Sequence, residues 1–155
     1  MKHIRVVIPD ENFEMYVELL ENEAPKTCNA VQQILPIETK LYHAMLSGNE
    51  VLIELTGKNM LRLEPENWVY HVIPGDVLYW YSHWGEAKYL RDNPEIDEIV
   101  FIYDRYTKLR DLSHHDVAAN LFGRISSGSD LERFADICRR IRREGPKTIL
   151  LELKK

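Results

Sequence analysis

The chain has 155 residues, of which 45% are hydrophobic and 29% are charged, and its formal net charge is −5. This composition is typical of one folded globular domain spanning residues 1–155. The acidic balance argues against nucleic acid or an anionic membrane as a partner, because both are bound through clustered Lys and Arg side chains.

The first part of the chain predicts a β-hairpin followed by a helix. HIRVVI (residues 3–8) and the alternating segment FEMYVELL (13–20) flank a polar PDEN turn. The helix is expected to include Pro25 at its first position, where a missing N–H costs little, and to stop at Pro36. Its buried face is marked by four apolar residues at helical spacing: Ala24, Cys28, Val31 and Leu35.

The middle of the chain predicts strands separated by turns. Ser47-Gly48-Asn49 and Pro74-Gly75 have the residue types that favour tight turns. The strand segments are rich in β-branched and aromatic residues. They are ETKLYHAML (38–46), EVLIEL (50–55), NWVYHVI (67–73), DVLYWYS (76–82), EIVFIYD (98–104) and NLFGRI (120–125).

Residues 75–90, GDVLYWYSHWGEAKYL, are unusually rich in rings. On a strand, Val77, Tyr79 and Tyr81 point to one face, whereas Leu78 and Trp80 point to the other. Both faces are therefore apolar. One face can fill a barrel interior, and the other needs a helix, a loop or a second subunit over it. A homodimer is one way to provide that cover.

The C-terminal part predicts a capped helix and a final strand. Ser129 and Glu132 have the spacing of a capping box, and Gly145 with Pro146 ends the helix. The segment TILLEL (148–153) follows as a strand. An apolar stripe marks the buried face of the helix: Leu131, Phe134, Cys138 and Ile141.

The order of these elements indicates the fold class. Strands and helices do not alternate as they do in a parallel doubly wound sheet. A mainly β protein with two helices fits better, as a closed antiparallel β-barrel whose openings the helices cover.

Cysteine usage and hydropathy favour a cytoplasmic protein. Cys28 and Cys138 fall at apolar helix positions, so buried free thiols are expected rather than a disulfide framework. The N-terminal apolar run is too short for a signal peptide, and no stretch approaches the length of a membrane span. We therefore expect no membrane partner.

Five segments, in order, resemble a bacterial and archaeal family of unknown function with a cyclophilin-like fold. They are FEMYVELLENEAPKTCNAV, LYHAMLSGNEVLIEL, PGDVLYW, NLFGRI and LERFADICRRIRREGPKTILLEL. The resemblance implies a closed barrel with two capping helices. It implies no activity, since fold alone does not decide function.

The same resemblance argues against prolyl isomerase activity. True cyclophilins use an arginine just after an aromatic–histidine pair. Here the pair Tyr42-His43 is followed by Ala44, and Met45 stands where an arginine is expected. A methionine cannot donate hydrogen bonds to a twisting proline amide.

We expect the barrel rim to bind a small molecule or a peptide. Rings would supply contact area, while His43, Glu86 and Asn120 would fix the orientation of the ligand. The alternative for His43 is a hydrogen-bonded strand residue, and the alternative for Trp84 is a ring packed against the rim. The full expected site is His43, Ser47, Trp84, Glu86, Tyr103 and Asn120.

An enzyme is the alternative. A hydrolase or isomerase acting on a cyclic amide or a small carbonyl compound could use His43 or Glu86 as general acid or base. Catalytic residues are otherwise unassigned. The run 113–116 (Ser-His-His-Asp) lacks a metal-ligand spacing and is interpreted as a helical turn capped by Ser113. We expect no metal and no cofactor, because no cofactor fingerprint is present.

Overall fold

In a computed structural model, residues 1–82 and 95–155 are described, and they form nine strands and two α-helices. The helices are α1 (Pro25–Ile34) and α2 (Gly128–Glu144). The strands are β1 (His3–Ile8), β2 (Phe13–Leu19), β3 (Ile37–His43), β4 (Glu50–Glu54), β5 (Trp68–Val69), β6 (Asp76–Tyr81), β7 (Asp97–Ile102), β8 (Ala119–Arg124) and β9 (Lys147–Leu153).

Eight of these strands close into a ring. Their order is β2-β1-β9-β3-β4-β7-β6-β8, every pairing is antiparallel, and β8 pairs back to β2. The short β5 lies outside the ring, on β8. The predicted mainly β fold, a closed antiparallel barrel with two helices, is confirmed.

The barrel interior is filled by side chains from alternate strand positions. Val6, Met15, Ile53, Tyr79 and Phe101, for example, are each fully buried in one cluster. This follows from the period of two along a strand, which sends every second residue inward.

Both helices contribute to the same interior cluster. Cys28 on α1 and Phe134 on α2 are buried in it, and the Phe134 ring lies 6.0 Å from Phe13 and 5.7 Å from Phe101. The interior of a closed barrel is reached only through its openings, so the helices must cover them. The helix α1 packs against β8, where the Cys28 thiol donates to the Phe122 carbonyl, and α2 packs against β2, where Phe134 contacts Phe13. The two cysteines, Cys28 and Cys138, are buried and free, as expected.

The ring-rich strand β6 divides its side chains between two clusters. Val77 and Tyr79 face the interior, whereas Leu78 and Trp80 face outward into a smaller cluster with Ile102. The strand β5 and loops of the same chain cover that outer cluster, through Val69, Val72, Leu109 and Val117. The expected division of the two faces is confirmed, and the cover comes at least partly from within the chain.

Three local expectations were wrong. Only Trp68–Val69 of the expected strand 67–73 forms a strand. The cap of α2 is Ser127, whose Oγ accepts from the Asp130 amide at 3.3 Å, rather than Ser129. The 113–116 run forms no helical turn. The Asp111 side chain accepts from the backbone N–H groups of Ser113 and His115, and a positive φ of 65° at His114 is incompatible with a helix.

No helix in the described ranges is both long enough and apolar enough to span a bilayer.

Candidate functional site

A cavity of about 320 Å³ lies outside the barrel, against the outer face of β4, β7 and β6. We call it the outer-face cavity. Its apolar wall includes Leu52, Trp80 and Ile96, and its acidic groups include Glu50, Glu54 and Glu98. These side chains converge because Glu50, Leu52 and Glu54 alternate along β4, while Glu54, Glu98 and Trp80 lie opposite one another across three strands.

The β3–β4 turn closes one side of this cavity. Its geometry depends on Gly48, where φ is +93° and an added Cβ would collide with the Tyr106 carbonyl oxygen. Ser47 fastens the turn to the neighbouring loop, since its Oγ accepts from the Arg110 amide at 3.1 Å and its carbonyl accepts from the Lys108 amide at 2.9 Å. The turn and the 106–112 loop therefore form one wall.

Glu50 is the most deeply buried acid of the cavity, with only 3% of its surface exposed. Burial raises its pKa to about 7, against a lowering by the Ser47 hydroxyl. Its Oε2 atom has no hydrogen-bond partner among the described residues. Such an atom is costly to bury, and a native structure with one needs an explanation.

Glu98 is the second acid with a displaced pKa. Burial raises that pKa well above its usual value, and the charges of Glu50, Glu54 and Asp97 raise it further. The cavity thus presents two carboxyl groups whose pKa values are raised by burial, beside an apolar wall.

His43 borders the cavity at the end of β3 and is held by fixed partners. Its Nε2 lies 2.7 Å from the Tyr103 hydroxyl, and its Nδ1 lies 2.7 Å from the Ala44 carbonyl oxygen. The Arg142 Nε–H also donates to Nδ1, at 3.1 Å, and the Tyr103 hydroxyl has a second partner in Asn49 Oδ1. Burial lowers the His43 pKa, and the Arg142 charge lowers it further, against a raising by the Ala44 carbonyl. The ring is therefore neutral at neutral pH.

The structure brings together only part of the site expected from the sequence. His43 and Ser47 both line the outer-face cavity, and the buried Tyr103 lies behind them, in contact with His43. Trp84 and Glu86 lie outside the described residues.

Asn120 lies elsewhere, under the segment that leads into β5. Its amide nitrogen donates to Thr27 Oγ1 at 3.2 Å and to the Glu64 carbonyl at 3.1 Å, and its oxygen accepts from the Glu66 amide at 2.9 Å. All of these are contacts that hold α1 and the 64–66 segment against β8.

Glu50 and Glu98 line the cavity but were not among the site residues expected from the sequence. Both acids lie in segments assigned as strands, next to runs of buried residues such as Ile99, Val100 and Phe101. An acid within an apolar strand is an available signal, because acids are depleted in strands. No group of three or more His, Cys, Asp or Glu within residues 1–82 and 95–155 is arranged to hold a metal ion.

A family model described as "Protein of unknown function (DUF3830)" matches residues 6–153. The chain belongs to this family. The DUF3830 assignment covers nearly the whole barrel, from β1 to β9, and it carries no stated activity. Among curated proteins, none matches the chain.

Two solved structures show the same fold. The structure of McbB in complex with tryptophan superposes with a TM-score of 0.70 at 12% identity, covering 96% of this chain and 44% of that one. The hypothetical protein AF2241 from Archaeoglobus fulgidus superposes with a TM-score of 0.55 at 22% identity, covering 97% and 93% of the two chains. The DUF3830 chain thus spans less than half of the McbB chain, and the likeness concerns the fold alone.

Proposed function

We propose that this protein binds a small organic molecule in the outer-face cavity. A volume of about 320 Å³ suits a small metabolite, and the combination of an apolar wall with few polar groups is typical of ligand pockets. The ligand-facing groups expected from the sequence, His43 and Ser47, lie at the same cavity and support its use as a binding site.

The observation that carries the proposal is the unpartnered oxygen of Glu50. The side chain is 3% exposed, its Oε2 has no donor among the described residues, and Glu50 lines the cavity. A buried acceptor without a donor costs about 1–3 kcal/mol. A ligand that donates a hydrogen bond there recovers this free energy on binding.

The test is a thermal-shift screen of small metabolites, followed by calorimetry on each compound that raises the melting temperature. Leu52→Phe would fill the cavity, and Leu150→Phe is its matched control, because Leu150 is also a half-buried strand leucine but does not line the cavity. Binding should be lost in Leu52→Phe and kept in Leu150→Phe. Equal binding to both variants would refute this location.

A second candidate function is acid–base catalysis on a small carbonyl compound or a cyclic amide. The observation that favours it is the pair of carboxyls with raised pKa, Glu50 and Glu98, in one concave site. The ionised Glu50 would remove a proton from the carbon next to a carbonyl, and the protonated Glu98 would deliver one to the carbonyl oxygen.

This catalysis can be separated from binding by deuterium exchange. Compounds found in the screen would be incubated with protein in D₂O, and NMR would follow replacement of the hydrogen next to the carbonyl. Exchange that disappears in both Glu50→Gln and Glu98→Gln supports an enzyme. A compound that binds but shows no exchange would support the binding function and contradict the catalytic one.

A homodimer remains a prediction. The outer cluster that motivated it, around Leu78 and Trp80, packs at least partly against loops of the same chain. Sedimentation velocity over a range of concentrations would test it. A species of monomer mass at the highest concentration would argue against the dimer.

A further inference from the structure

Resting on the proposed function, we propose that the ligand of the outer-face cavity is a small organic cation: a primary ammonium on an apolar body, received by the carboxyls of Glu50 and Glu98. The chemical class of the ligand follows from the charges around these two acids, from the burial of Glu50 and from the apolar wall beside them.

The charges around the two carboxyls are mostly negative. Glu54 lies on the same face of β4, Asp97 neighbours Glu98 along β7, and the buried Asp111 borders the cavity from the 110–112 loop. Neutral His43 adds no charge from β3. The charges of Glu50, Glu54 and Asp97 raise the pKa of Glu98, so a positive charge beside these carboxyls would relieve their repulsion.

Among the described lining residues, Arg110 is the one with a permanent positive charge, and it is directed elsewhere. Its Nε lies 3.9 Å from the Asp116 carboxylate, and Lys108 pairs with the same carboxylate at 3.0 Å. Arg110 is not among the groups that displace the pKa of Glu50 or Glu98. No described side chain therefore neutralises the pair.

A primary ammonium matches this arrangement better than a neutral donor. It offers three N–H donors and a compact charge, so it can donate to Glu50 Oε2 while its positive charge acts on Glu98, which already interacts with the Glu50 charge. The adjoining wall of Leu52, Trp80 and Ile96 provides apolar contact for the rest of the molecule. An alcohol could donate a hydrogen bond but could not relieve the repulsion between two acids.

Binding of the cation must displace protons. In the free protein Glu50, whose pKa is about 7, is partly protonated near neutral pH, and burial with the neighbouring acids raises the pKa of Glu98. When the ammonium binds, a carboxylic acid becomes a carboxylate and its proton passes to the buffer. Affinity should therefore rise with pH up to and beyond about pH 7.

Titration calorimetry with three matched compounds tests the ligand class. Phenethylamine, phenethyl alcohol and hydrocinnamate share a benzene ring and differ in carrying a positive, a neutral or a negative group. We expect the amine to bind at least about tenfold more tightly than the alcohol, and the anion to bind most weakly. Repeating the amine titration in buffers of different ionisation enthalpy should show proton release.

Glu50→Gln and Glu98→Gln, each an isosteric change that removes a charge, should reduce the preference for amine over alcohol to within about twofold. Glu38→Gln, at an exposed position on β3 outside the cavity, should leave the preference unchanged. If a Gln variant does not fold, the wild-type pH series decides alone: amine affinity must rise with pH while alcohol affinity stays flat.

Two results would overturn the ligand class. If the alcohol bound as tightly as the amine, and Leu52→Phe abolished that binding, the cavity would still be the binding site but its ligand would not be a cation. A preference for the amine that persists in both Gln variants would place the cation elsewhere. If none of the three compounds bound and the metabolite screen found no ligand, both the ligand class and the proposed binding function would be wrong.

Discussion

Asp97 and Glu50 are buried acids on the paired strands β7 and β4, but their surroundings differ. Asp97 is 1% exposed, and its Oδ2 accepts from the Leu61 amide at 2.8 Å, the Arg62 amide at 2.7 Å and the Tyr79 hydroxyl at 3.0 Å. Glu50 is 3% exposed, and the Ser47 hydroxyl is the one hydrogen-bond donor that lowers its pKa.

This difference separates an acid that holds the fold from an acid available for a ligand. Burial raises the pKa of both residues. The donors to Asp97 Oδ2 offset part of that cost and attach the 61–62 segment to β7, while Asp97 Oδ1, like Glu50 Oε2, has no partner among the described residues. The two acids differ because Glu50 has fewer donors and lines the outer-face cavity, which Asp97 does not. We expect a ligand to bind where a buried polar group has few hydrogen-bond donors and borders a cavity.

The largest effect on stability is expected from Asp97→Ala. The substitution leaves the Leu61 and Arg62 amides and the Tyr79 hydroxyl without their acceptor, which should cost about 4 kcal/mol of unfolding free energy. Urea denaturation at constant pH would measure it. Glu54→Ala, at an exposed acid on β4, should change stability by less than about 0.5 kcal/mol. Equal effects at the two positions would show that Asp97 is not a structural anchor.

Gly48→Ala should destabilise the cavity wall next most strongly. The residue needs φ of +93°, and a Cβ would meet the Tyr106 carbonyl, so the turn must separate from the 106–112 loop at a cost of about 3 kcal/mol. Gly57→Ala is the matched control, because φ there is +56° and nothing lies within 4 Å of an added Cβ. It should cost only about 1 kcal/mol of backbone strain. Similar losses in the two variants would exclude a steric role for the 106–112 loop.

The fold was largely predictable because its signals are local and periodic. Alternation in FEMYVELL, the apolar stripe that includes Phe134 and Cys138, and the two apolar faces of β6 each determine which side chains are buried. Closure of the barrel follows from those faces. The cap of α2 at Ser127 was misassigned because Ser127 and Ser129 are both good caps, and backbone geometry decides between them.

The candidate site was less predictable because it depends on which strands are neighbours. Glu50 and Glu98 are far apart in sequence, and they share a cavity only because β4 pairs with β7. The side chain of Asn120 looked equally available in the sequence, yet its amide is used by Thr27 and the 64–66 segment. Whether a polar group already has partners is a property of tertiary structure.

Glu50 should also make stability depend on pH. Its pKa is raised from 4.5 to about 7 on folding, so the folded state binds more protons than the unfolded state between these values. Unfolding free energy should therefore fall as pH rises from about 5 to about 8, by about 2–3 kcal/mol from this residue. Urea midpoints across that range should decline less in Glu50→Gln than in wild type or in Glu38→Gln. Parallel curves for all three proteins would contradict the raised pKa.

Tyr103→Phe is expected to give the smallest effect, and it extends the comparison to a third buried polar group. The Tyr103 hydroxyl lies 2.7 Å from His43 Nε2 and 3.3 Å from Asn49 Oδ1, so it is already satisfied, as Asp97 Oδ2 is. Removing it should cost about 1 kcal/mol, because only neutral hydrogen bonds to His43 and Asn49 are lost and His43 borders a cavity that water can enter. Tyr106→Phe, at a side chain that is 92% exposed, should cost nothing measurable by the same urea titration. If Tyr103→Phe instead weakened amine binding as strongly as Glu50→Gln does, the hydroxyl would belong to the ligand site and not to its support.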